Sequence, residues 1–167
     1  MELPNILRQT KGFTLIEILI AMVVLGIIAS LGLFISFDFY KTYAFNSEGN
    51  VIVSVLKRTR NQSINNINGV RHGVHFKDNS GLKYIMFECP TATPNCTSYD
   101  PSYPQIEMDS SWGISFISPT PPLPFDVMFD QLSGDCTTCQ ISDITITVSY
   151  AIKKYDILIN KEGGISW

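Results

Sequence analysis

Four cysteines, two histidines and three closely spaced aspartates are the side chains of this 167-residue chain that could do chemistry. The cysteines stand as Cys89-x6-Cys96 and Cys136-x2-Cys139. Four thiolates can hold one zinc ion, although the first spacing is wider than such sites use. A redox Cys-x2-Cys wants a helix N-terminus to lower its thiol pKa, whereas DCTTCQ leads into a strand pattern. In an oxidising compartment thiols pair instead. Four cysteines allow three pairings; two local bridges, closing CPTATPNC and CTTC, are the favoured one. His72 and His75 are three apart in a strand pattern and so face opposite ways. They read as sheet residues rather than a shared ligand site. Asp126, Asp130 and Asp135 form an acidic loop stretch without the alternation of a calcium loop. No Gly-rich phosphate loop follows a strand, and no nucleophile–base pattern is present. The expectation is a protein that is not an enzyme, with no cofactor, no metal and no small-molecule substrate.

One further acid, Glu17, is conspicuous by its place. From Phe13 to Phe37 the only polar side chains are Thr14, Glu17, Ser30 and Ser36. As a helix these residues rise roughly 37 Å, enough for a bilayer core of about 30 Å. Arg8 and Lys11 precede the run and Asp38 follows it. Positive charge stays on the cytoplasmic side, so the N-terminus is expected inside and the bulk of the chain outside. Phe34, Phe37, Phe39, Tyr40, Tyr43 and Phe45 suit the outer interface. A cleaved signal peptide would end in small residues after a shorter core; SFDFYKTYAF offers no such site. Gly26, Ala29 and Gly32 add a stripe of small residues that lets membrane helices approach. Thr14 and Glu17 fit a capping box, and a carboxylate suits the positive end of a helix. Yet an acid in the bilayer core costs roughly 2.5–3.5 kcal/mol on insertion scales, which a simple anchor gains nothing from.

Behind the run no proline occurs until Pro90. Val51, Val55, Leu56 and Thr59 fall at helical spacing with Ile52 beside them, so the helix is expected to continue as an amphipathic half over 38–66. Gly49 within SEGN is its weakest point, and NNING (Asn65 to Gly69) ends it. From Val70 the period changes to two: VRHGVHF, LKYIMF, WGISFI, ITITVSY and YDILIN read as strands. DNSG (Asp78 to Gly81) separates the first two, and a turn is expected near Lys153-Lys154. Eight of the nine prolines lie between Pro90 and Pro124, so Ser118 to Phe125 reads as an irregular or extended connection. The expected fold is α+β, a long N-terminal helix packed on a small antiparallel sheet. Its parts are a leader (1–12), a transmembrane helix (13–37), the amphipathic continuation (38–66) and a β-rich domain (67–167).

GFTLIEILIAMVVLGIIASLGL resembles the N-terminal segment of type IV pilins and type II secretion pseudopilins. The resemblance implies a basic leader ending at Gly12, cleavage before Phe13 by a prepilin peptidase, N-methylation of Phe13, and an assembly role for Glu17. It also implies a pilin-like fold, partnership with other pilin subunits, and a single-pass place in a bacterial inner membrane with a periplasmic domain. The implied partner of Glu17 is the free amine of Phe13 in the same or a neighbouring subunit. LKRTRNQSINN, GVHF and ILINKEGGI are similar to GspH/FimT-like minor pseudopilins, which implies a minor subunit active in fibre initiation or at the tip. Major pilins commonly carry a proline near the position of Phe34, and this chain does not. Other subtypes of the family bind calcium. Some minor pilins take up DNA, the alternative function. Without residues 1–12 the chain keeps 10 Lys/Arg against 14 Asp/Glu, a net of −4. DNA binding needs a basic face, and Lys57, Arg58 and Arg60, with the smaller pair Lys153-Lys154, read as solvated charges.

Overall fold

The computed structural model describes residues 12–78, 82–110, 115–116, 122–150 and 152–167. The leader up to Lys11, with Arg8, lies outside them, as do Asn79–Gly81, Trp112-Gly113 and Ser118–Pro121. The chain divides into two compact units, Met1–Lys41 and Thr42–Trp167. One helix, α1 (Leu15–Ile64), runs through the boundary. The architecture is α+β, with every strand pair antiparallel, consistent with a pilin-like fold.

In the first unit the helix is apolar from Leu15 to Gly32 apart from Glu17 and Ser30. Leu15–Gly32 is long and apolar enough to cross a membrane by length and composition, and none of that window is buried. A Cβ added at Gly26 or Gly32 would meet nothing within 4 Å, so the small-residue stripe borders open space.

In the second unit the helix becomes one-sided. Phe45, Ile52, Val53, Val55 and Leu56 are buried in the main core. Two features differ from the sequence reading. Val51 lies on the exposed side, and the buried stripe runs through Ile52 and Val53 instead. Phe45 is 3% exposed and meets Tyr155 edge-on, so it belongs to the core and not to an aromatic belt. Gly49 does not break the helix. A Cβ there would stand 2.8 Å from the Tyr155 ring, so glycine is what lets β7 approach. The helix ends where expected: Asn66 and Asn68 adopt left-handed conformations, which asparagine tolerates better than most residues.

Two four-stranded sheets, rather than one, close the core. The first has β1 (His72–Asp78), β2 (Leu82–Glu88), β3 (Gln105–Asp109) and β5 (Phe125–Phe129) in the order β3-β2-β1-β5. The second has β4 (Ser115–Phe116), β6 (Ile144–Tyr150), β7 (Lys153–Ile159) and β8 (Ile165–Ser166) in the order β4-β6-β7-β8. Val74 and Phe76 from the first sheet and Ile146, Val148, Ile157 and Ile159 from the second pack on the same helix face. Lys153 and Lys154 are strand residues, so the turn expected there lies ahead of them. Phe125, assigned to the proline-rich connection, opens β5 instead.

Polar pins hold the helix end to both sheets. Ser63 Oγ donates to the Phe129 carbonyl (3.1 Å) and accepts the His72 N–H (3.0 Å). Arg60 donates to the carbonyls of Gly134 and Glu162, each at 3.1 Å. Gly163 has φ +71°, and a Cβ there would lie 2.0 Å from the Gly134 oxygen and 2.7 Å from Arg60 Nε. Gly163→Ala is therefore expected to destabilise the second unit by about 2–4 kcal/mol, from the left-handed penalty and overpacking together. Denaturant unfolding of the full chain in detergent, followed by circular dichroism, measures it; a change under about 0.5 kcal/mol, the range of neutral surface substitutions, would contradict the packing described.

Candidate functional site

The N-terminal junction is built from six residues. Gly12 and Phe13 precede the helix and are exposed, and a Cβ at Gly12 would meet nothing within 4 Å. The helix starts at Leu15, which makes Thr14 the capping residue. The Glu17 N–H donates to Thr14 Oγ1 (3.3 Å), and the Thr14 N–H donates to Glu17 Oε2 (3.4 Å). The Thr14 hydroxyl reaches the same oxygen at 3.5 Å. This is a capping box with long bonds. It holds the carboxylate at the positive end of the helix, one turn from the Gly12-Phe13 bond.

The cysteines do not converge. Cys89 is bonded to Cys96 and Cys136 to Cys139, with no free thiol remaining. The four sulfurs are divided between two separate bridges. The first bridge belongs to a small cluster with Val70, Phe87 and Met128, under Tyr99 and Tyr103. The second belongs to the main core. Each closes a short loop: Cys89–Cys96 staples a segment over one sheet face, and Cys136–Cys139 tightens the turn against the β5 edge, where the Thr137 N–H donates to the Met128 carbonyl (2.8 Å).

The three aspartates are likewise dispersed, and Asp126 is a strand residue, not part of a loop. Asp126 Oδ1 lies 2.6 Å from His75 Nδ1, and its Oδ2 accepts the Tyr99 N–H at 2.9 Å. The His75 ring stacks on Tyr99 with centroids 4.2 Å apart. Asp130 pairs with Arg71 at 2.5 Å. Sequence reasoning missed the His75–Asp126–Tyr99 cluster. The period-two pattern around His75 was its only signal, since β5 was concealed behind prolines. The cluster fastens the segment that follows the Cys89–Cys96 loop to the sheet, which is a structural task.

Lys57 and Arg58 are exposed, as expected of solvated charges, with Lys57 Nζ 3.7 Å over the Trp167 ring. Arg60 is half-buried and donates to two backbone carbonyls, because the chain returning from Gly134 and Glu162 covers it.

His72 faces opposite to His75 and is 3% exposed. It borders a cleft of about 270 Å³ that Gln62, Glu88, Gln105 and Ile106 also line. Burial pushes its pKa below the usual 6.5, and the Glu88 carboxylate, 3.6 Å from Nε2, only partly opposes this.

An apolar helix opening on a capped acid, followed by antiparallel sheets, defines an α+β chain of pilin-like architecture. Residues 7–33 match the prokaryotic N-terminal methylation motif family. No curated protein and no solved structure matches the chain significantly. The motif marks a substrate of type IV pilin-type prepilin processing, its family is structural rather than enzymatic, and the apolar helix is consistent with a single-pass anchor.

The lowered pKa of His72 has a pH consequence. The unfolded chain takes up this proton more readily than the folded one, so stability falls as pH drops through about 6.5 towards the folded value. His72→Gln is expected to lose less stability than wild type between pH 7.5 and pH 5.5. Denaturant midpoints of the full chain at the two pH values measure this, and an equal loss in both proteins would refute it.

Proposed function

We propose that the chain is a minor pilin or pseudopilin of the GspH/FimT-like kind, a structural subunit of a type IV pilus or type II secretion pseudopilus. It sits in the bacterial inner membrane with its N-terminus cytoplasmic and the second unit periplasmic, and it acts in fibre initiation or at the tip. The observation that carries this reading is the methylation motif over residues 7–33, with Glu17 at the head of an apolar helix.

The chemistry follows from the junction. Prepilin peptidase hydrolyses the Gly12–Phe13 bond, leaving a carboxylate on Gly12 and a free amine on Phe13 that is then methylated. Gly12 puts no side chain in the way of the peptidase. The new amine and Glu17 are four residues apart, about 6 Å along the axis. Both capping contacts to the carboxylate use Oε2, which leaves Oε1 to accept from the amine of a staggered neighbour. Capping within a subunit and pairing between subunits are therefore compatible. In an apolar medium that penalises each charge alone, the pair sets the register of assembly. Bundling also covers the apolar surface that the isolated helix exposes. The engagement of Arg60 within the fold does not favour the DNA-uptake alternative.

Two substitutions test the reading. Gly12→Leu should leave the leader attached, so the intact mass of the membrane protein stays at the precursor value; normal trimming would place the cut elsewhere. Glu17→Val should insert and be processed but drop out of sheared fibres, and unimpaired incorporation would reduce Glu17 to a helix cap.

A further inference from the structure

The cleft beside His72 lies wholly within the second unit, between the end of α1 and the β2–β3 side of the first sheet. His72 is 3% exposed, and neither of its ring nitrogens has a hydrogen-bond partner among the described residues. Burial keeps the ring neutral at neutral pH, so one nitrogen is an acceptor. Nε2 stands 3.6 Å from Glu88 Oε2. That is too long for a hydrogen bond if Nε2 carries the proton, and acceptor against acceptor if it does not. A buried polar group left this way costs stability, so a donor between the two satisfies both. Gln62 is the third polar group at this end, and its carboxamide makes no hydrogen bond among the described residues. The remaining wall is apolar, with Met86, Pro104 and Ile106, the last 54% exposed. The space of about 270 Å³ falls below the range of pockets for drug-sized molecules, about 300–1,000 Å³, and suits a single side chain.

We infer that this cleft receives a lysine side chain presented by another protein, its ammonium between His72 and Glu88 and its aliphatic stem along Pro104 and Ile106. An ammonium has three donors and no acceptor. The cleft offers three groups that accept: the His72 ring, the Glu88 carboxylate and the Gln62 carboxamide oxygen. A nitrogen about 2.9 Å from both Nε2 and Oε2 spans their gap. Glu88 supplies the opposite charge, and the Asn68 Nδ2 bond to Oε2 (2.8 Å) holds it at the cleft. Its side chain is 30% exposed against 4% for His72, so Glu88 is the wall that yields to admit the head group. Acceptors from three separate residues suit a rotatable ammonium better than the planar fork of arginine. A metal ion fits less well, since no three of His, Cys, Asp and Glu converge among the described residues and catalytic and structural zinc sites use at least three protein ligands. Arg58, one helical turn before Gln62, lines the neighbouring grooves and not this cleft. The inference stands on the second unit alone and does not rest on the N-terminal junction.

The experiment uses the full chain in detergent with carbon-13-labelled histidine, at constant ionic strength and pH. The chain has two histidines, so two imidazole Cε1–H signals report, and His72→Gln assigns them. The probe is Nα-acetyl-lysine methylamide. Its norleucine counterpart, phosphoethanolamine and zinc chloride are titrated in parallel. The expected result is a saturable shift of the His72 signal, half-complete at roughly 1–10 mM as befits a single side chain, with the His75 signal unmoved. The norleucine compound should bind about tenfold more weakly or worse. Glu88→Gln should weaken lysine binding by about tenfold or more with an unchanged circular dichroism spectrum. No saturable shift at His72, equal shifts at both histidines, an equal response to norleucine, or undiminished binding by Glu88→Gln would each overturn the inference. Tighter binding of phosphoethanolamine would assign the cleft to a lipid headgroup, and tighter binding of zinc would assign it to a metal; either result also overturns the lysine site. None of these outcomes bears on cleavage at Gly12–Phe13, so this inference and the proposed function fail separately.

Discussion

The second unit is organised around one stripe of one helix, from Phe45 to Ser63. A sheet with an apolar face must bury it, and here two sheets bury theirs against the same stripe, so neither is complete without the helix. That makes the polar residues on the stripe critical. Glu48 is buried and accepts the Tyr84 hydroxyl at 3.0 Å. Thr59 returns its hydroxyl to the Val55 carbonyl at 2.9 Å, and Ser63 bridges β1 and β5. An unsatisfied buried polar group costs about 1–3 kcal/mol, so these contacts discriminate against slipped packings that apolar contact alone would tolerate. Burial, followed by the Glu48 carboxylate, pushes the Tyr84 phenol well above its usual pKa, keeping it a donor at any physiological pH.

The first unit presents the opposite condition. Its helix bonds are internal, but none of the window Leu15–Gly32 is buried. Such a surface needs lipid or other apolar helices. The acid at its start is held by a capping box of long, weak bonds, so its carboxylate is available to a stronger partner. Under the proposed function one segment would serve as an anchor before assembly and in a bundle after it, because lipid tails and neighbouring helices satisfy the same apolar surface.

Legibility in the sequence followed the range of the interactions. β1, β2, β6 and β7 showed themselves by apolar alternation because each has one face in the core. β3, QIEMD, did not: it is largely exposed and is held by Lys83, which pairs with Glu107 at 2.8 Å and Asp109 at 2.9 Å across the strands. Charges at strand spacing look the same as charges on a loop until the partner strand is known. β5 carries a clear alternation in FDVMF, but its approach through prolines masked it. The helix face was misjudged by one position at Val51 because a valine on either flank of the stripe fits the period, and only the placement of both sheets chooses between them.

What the sequence alone determined lies at the N-terminus. A methylation motif over residues 7–33, a helix cap and an uninterrupted apolar run are properties of covalent neighbours, and their physics needs only the helix rise and the surrounding solvent. What the tertiary structure decided lies at long range. His75 meets Asp126 across 51 positions, Arg60 reaches Gly134 across 74, and Lys153 reaches Thr42 across 111. Closing such distances costs chain entropy that no single pair can repay. Each contact exists only because the shared core holds its two ends together, and so no local stretch of sequence records it.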